Sequence, residues 1–130
     1  MTQKEIELIL SRHLAEYLAM PIFIVDPGGD MVYYNESAEI ILGFRYVETG
    51  AMPASEWSTI FNPVGLDGTP MEPEEHPLMI AIIEQHPAHK RFWIRGLDKN
   101  KRLLEVTAIP LIAQADRFLG AIAFFWEVPE

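Results

Sequence analysis

Apolar positions switch between helical and strand spacing along this chain, and the switches mark its elements. Between Lys4 and Met20, the residues Ile6, Ile9, Leu10, Leu14, Tyr17 and Leu18 recur at helical spacing. They predict an amphipathic helix that Pro21 brings to an end. Ile22, Phe23, Ile24 and Val25 then form a wholly apolar, partly β-branched run, as a strand covered on both faces would. Asp26-Pro27-Gly28-Gly29 carries turn chemistry, a fixed φ followed by positions tolerant of positive φ. Met31 to Tyr34 reads as the returning strand. Asn35 is placed to cap a helix with Ala38, Ile40, Ile41 and Leu42 on its apolar side, closed by Gly43.

From Phe44 to Glu75 the chain is rich in proline and glycine, with one or two helical turns predicted over Ser55 to Phe61 that bury Trp57 and Phe61. Pro77 to Gln85 predicts a compact helix whose proline occupies the first turn, where a missing N–H is harmless. Three strand patterns follow. Lys90 to Leu97 alternates Phe92 and Ile94 against Arg91, Trp93 and Arg95. Arg102 to Ile112 alternates Leu104, Val106 and Ala108 against Leu103, Glu105 and Thr107. Arg117 to Glu127 is long, apolar and aromatic, through Phe118, Leu119, Ile122, Phe124, Phe125 and Trp126, and Asp98-Lys99-Asn100 and Gln114-Ala115-Asp116 supply the turns. Two strands, short helices and three antiparallel strands make an α+β arrangement.

Composition narrows the function classes. A chain of 130 residues with 49% hydrophobic and 22% charged residues is one globular domain with room for one core. A formal charge of −9 argues against a nucleic-acid surface, which needs clustered Lys and Arg. No signal-peptide pattern and no apolar run of bilayer length is present, so a cytoplasmic protein that neither spans nor binds a membrane is expected. The absence of cysteine removes disulfides, thiolate metal sites and cysteine nucleophiles.

The run from Pro21 to Gly43, a strand, an Asp-rich turn, a strand and Asn-x-x-Ala leading into a helix, resembles the opening of a PAS domain. Leu66 to Leu78 is similar to the Asp-Gly-x-Pro loop and Pro-Leu helix start of one PAS subgroup, and Val106 to Pro110 to its penultimate strand. Glu127-Val128-Pro129-Glu130 stands where PAS domains carry Asp-Ile-Thr-Glu, with Pro129 departing at the Thr. The resemblance implies residues 21–130 as the PAS domain and 1–20 as an N-terminal amphipathic helix for capping or dimerisation. The implied fold is a five-stranded antiparallel sheet curled around a cavity, with short helices on one face.

Alternation mapped onto that shape gives an inward set of Ile24, Trp57, Leu78, Ile82, Phe92, Ile94, Leu104, Val106, Ala108, Gly120, Ile122 and Phe124. The set reads either as a filled core or as a pocket for a small apolar or amphipathic ligand. Trp93 and Phe125 are expected on the outer face. Ile6, Ile9, Leu10, His13, Leu14 and Tyr17 are expected at a homodimer interface or folded over the domain's own sheet.

Cofactors known from PAS domains are constrained by residue type. A flavin adduct needs a cysteine that this chain lacks. Haem ligation needs a histidine aimed into the cavity, whereas His76 and His86 flank the Pro77 helix and His76 reads as a loop or cap residue. The spacing of the four histidines matches no closed metal site. No nucleophile elbow, phosphate loop or dinucleotide fingerprint accompanies His76, Glu74 or Ser55, so no catalysis is expected. The expected function is a sensory or regulatory domain in signal transduction, acting on an output partner such as a kinase or a transcription regulator. A ligand-free dimerisation or docking module is the alternative, and a haem sensor the third.

Overall fold

The computed structural model describes residues 20–46 and 50–129. The predicted N-terminal helix, with Ile6, Ile9, Leu10, His13, Leu14 and Tyr17, lies outside the described residues. Five strands form one antiparallel sheet: β1 (Ile22–Val25), β2 (Met31–Tyr34), β3 (Ala88–Arg95), β4 (Lys101–Ile112) and β5 (Phe118–Glu127). Among the described residues the helices are α1 (Glu36–Leu42), α2 (Ala54–Ile60) and α3 (Pro77–Ile83), with single 3-10 turns at Pro73–Glu75 and Gln114–Asp116.

The strand order β2-β1-β5-β4-β3 explains the uninterrupted apolar run of β1. β1 sits between two neighbours and is buried on both faces, Phe23 and Val25 toward the helices, Ile22 and Ile24 away from them. Its turn into β2 is built by Asp26, whose Oδ1 accepts from the backbone N–H of Gly28 and of Asp30, both at 3.0 Å.

Asn35 ties the first strand to the first helix. Its Oδ1 accepts from Ala38 N and from Ile22 N, each at 3.1 Å, and its Nδ2 donates to Met20 O at 2.9 Å. The residue is 3% exposed, so water does not replace these partners easily. Asn35→Ala should lower stability by about 3 kcal/mol, a lost helix cap plus stranded backbone groups, read as a fall in the urea midpoint at unchanged slope. The far end of α1 is held by Gly43, at φ 81, and by Arg102, whose guanidinium donates to Ile41 O at 2.8 Å and pairs with Asp98 at 2.9 Å.

β4 keeps the alternation read from its sequence, with Leu104, Val106 and Ala108 buried on the helix side. β5 does not. Val106 pairs with Phe125 and Ala108 with Ala123, so the odd residues Ala121, Ala123 and Phe125 face the helices. Ile122 and Phe124 lie on the opposite face beside Ile24 and Ile22, which correct the inward positions expected for Ile24, Ile122 and Phe124. The outer position expected for Phe125 is corrected in the same way. Gly120 pairs with Leu111, a residue of the outer cluster, and its backbone is pressed against Val25 and Asp26 rather than opening onto the cavity.

Candidate functional site

Between the inner face of the sheet and the helices lies an apolar cavity of about 50 Å³. Phe23, Ala123 and Phe125 form its floor on the central strands, Leu104 and Val106 continue it on β4, and Phe92 and Ile94 on β3. Leu42 of α1, Trp57 of α2 and Leu78 of α3 close it from the helix side, together with Phe61, Pro63 and His76. Trp57 is fixed by its ring and by its nitrogen. It meets Phe23 edge-on at 5.6 Å between centroids, and Nε1 donates to Gly29 O at 2.7 Å.

Of the residues predicted for this site, Trp57, Leu78, Phe92, Ile94, Leu104 and Val106 line the cavity. Ala108 and Ile82 belong to the same packed layer without reaching the space. Ile24, Gly120, Ile122 and Phe124 are elsewhere. Sequence reasoning missed Phe23, Leu42, Phe61, Pro63, Ala123 and Phe125 as wall residues, and above all His76.

His76 immediately precedes Pro77, which forces it into extended backbone, φ −68 and ψ 132. In that conformation it becomes the N-cap of α3, and Nδ1 accepts from Leu78 N at 3.2 Å. The ring is held between two aromatic walls, 5.1 Å from Trp57 and 5.4 Å from Phe92. The cap role read from the sequence holds, and the same ring lines the cavity.

Desolvation among these rings pulls the His76 pKa down from 6.5 to about 4, so the imidazole is neutral at pH 7. Between those two values the unfolded chain binds more protons than the folded one, and stability falls as the pH is lowered. The stability difference between the parent protein and His76→Asn should therefore shrink as pH drops from about 6.5 to about 4. Paired urea titrations check it, because the upward-shifted exposed His86 is common to both proteins and cancels.

A polar cluster lies on the other side of the sheet. Glu105 accepts from His89 Nε2 at 2.9 Å, Arg91 at 3.3 Å and Trp126 Nε1 at 3.2 Å. The His89 hydrogen bond, with help from Arg91, holds its carboxyl below the usual range. The cluster sits on an open sheet face, away from the cavity. Among the described residues no group of three or more His, Asp and Glu is placed to hold a metal ion, and no helix is long and apolar enough to cross a membrane.

Comparison with family models and with curated proteins gives no match. Comparison with solved structures does. The PAS domain of BvgS from Bordetella pertussis superposes with a TM-score of 0.69 at 17% identity, over 95% of this chain and 88% of the other. This protein has the PAS fold. A PAS domain from a two-component sensor histidine kinase gives a TM-score of 0.62 at 14% identity, over 97% of this chain and all (100%) of that one. The PAS domain of nitrogen regulation protein NR(II) from Vibrio parahaemolyticus gives 0.62 at 15% identity, over 92% of this chain and 98% of the other. At these identities the likeness resides in the backbone, and the cavity of this PAS fold has to be read from its own side chains.

Proposed function

We propose that the domain is a cytoplasmic sensory or regulatory module of signal transduction that takes a small apolar ligand into the cavity and carries no catalysis of its own. The observation that carries this reading is an apolar space, about 50 Å³, left beneath three helices in an otherwise close-packed layer. It is smaller than the roughly 300 Å³ of pockets that hold drug-sized ligands, so the occupant is small or the helices part to admit a larger one. PAS domains of a sensor histidine kinase and of a nitrogen regulation protein share the fold and support a signalling role. A ligand that favours one arrangement of the flanking segments over another would shift their populations and pass the signal to an output partner.

Native mass spectrometry of the purified protein, compared with its denatured mass, tests the reading: a small molecule lost on denaturation is the expected result. Ala123→Val adds two methyl groups inside the cavity at a strand position that favours β-branching. It should fold with stability changed by less than about 1 kcal/mol and carry no bound mass; a loss of roughly 2–3 kcal/mol would mean that the space is already filled.

The second reading, a homodimerisation or docking module, draws on the outer face. Val32, Ile109, Leu111 and Phe124 are partly exposed there around the buried Ile22, Ile24, Tyr33 and Ile122. A dimer of bare chains in the same spectra would favour it. Haem fits poorly, since His76 is already engaged as a helix cap and the space would have to open past Trp57 and Phe92.

A further inference from the structure

Among the described residues that line the cavity, His76 is the one with a polar side chain besides Trp57, whose indole N–H is already committed to Gly29 O. Its two ring nitrogens are in different situations. Nδ1 receives the Leu78 N–H at 3.2 Å and must therefore be the unprotonated nitrogen of a neutral ring. The proton is left on Nε2. Among the described residues no side chain or carbonyl is found to accept it, and the ring as a whole lies edge-on to Trp57 and Phe92. His76 is only partly buried and leaves no fully buried polar atom unsatisfied, so Nε2–H keeps access to open space beside a lining that is otherwise apolar, where a guest acceptor can take the place of water.

We propose that the cavity selects small neutral molecules carrying a hydrogen-bond acceptor of the carbonyl or ether type, which Nε2–H of His76 binds while the aromatic walls enclose the hydrocarbon part. The proposal rests on the sensory reading of the same cavity. Neutrality follows from the wall, where none of the described lining residues is Asp, Glu, Lys or Arg and a charged guest would meet no counter-charge among them. Acceptor rather than donor character follows from the tautomer that the Leu78 N–H imposes. The same geometry gives the guest a route outward. A bond accepted from Nε2 makes Nδ1 a better acceptor for Leu78 N–H, so occupancy tightens the N-terminus of α3.

Cyclobutanone and methylenecyclobutane are suitable probes because they share a shape and differ in an oxygen against a CH₂. Titration of each into the ¹⁵N-labelled protein should show both entering the cavity, with the ketone alone shifting the Leu78 amide and the His76 Nε2 resonance. His76→Asn keeps a side-chain cap, and His76→Phe keeps the ring volume. Each variant should weaken the ketone by roughly five- to tenfold relative to the alkene, the size of one hydrogen bond. Two variants guard against one failing to fold. If both probes respond alike to the substitutions, the acceptor proposal is overturned and the apolar cavity stands. If neither probe enters the parent protein, the sensory reading of the cavity falls and takes the proposal with it.

Discussion

Gly120→Ala is expected to remove roughly 3–5 kcal/mol of stability, a large share of what a domain of this size possesses. Gly120 stands in the middle of the sheet at φ 126, a backbone conformation that L side chains rarely adopt. A Cβ at this position would overlap the carbonyl oxygen of Val25 and lie 3.2 Å from the backbone of Asp26. Both obstacles are main chain, at the end of the adjacent strand and the start of its turn, and cannot swing aside as a side-chain tip can. Relief requires the β1–β5 ladder to separate, and that ladder places the floor of the cavity. Equilibrium urea unfolding measures the change, and a loss under about 1 kcal/mol would show that the two strands do not approach as described.

Trp57→Ala is the second large effect, expected at roughly 4–6 kcal/mol. Trp57 is 2% exposed, packs against Phe23 and His76, and supplies the donor for Gly29 O in the first hairpin. Truncation deletes that packing, strands a buried carbonyl and joins the emptied volume to the existing cavity. The enlarged space should be able to hold the lost ring in free form, as apolar cavities do for aromatic guests. Indole at millimolar concentration should raise the melting temperature of the variant by several degrees more than that of the parent. Equal shifts in the two proteins would mean that the vacated space and the cavity are not continuous.

These sites were unequally legible in the amino-acid sequence. The segment from β1 through α1 could be read because its determinants are local: an apolar run, an Asp-Gly turn, Asn35 as a cap and a terminating glycine. β4 could be read because Glu105 and Thr107 mark the outer face against Leu104 and Val106. β5 offers no such mark, since Leu119 through Phe125 carries no charged residue on either face. Its parity is decided by pairing with β1 and β4, which is information from distant parts of the chain, and no local pattern assigns Ile122 and Phe124 to their actual face. His76 could be read as a cap from its place before Pro77. Its position on the cavity wall depends on Trp57 and Phe92, brought to it from elsewhere in the chain, and nothing in its immediate neighbours announces that.

The placing of β5 beside β1 also has a mechanical consequence. Ile22 lies opposite Phe124, and Phe125 N donates to Pro21 O at 3.1 Å, so the chain enters and leaves the sheet at one point. A pull applied through these two ends would unzip the β1–β5 ladder one hydrogen bond at a time instead of shearing all of them together. The first bonds to open would be those beside Phe23, Ala123 and Phe125, the cavity floor. A small displacement of one end against the other would therefore be felt at the cavity well before the domain lost its overall shape.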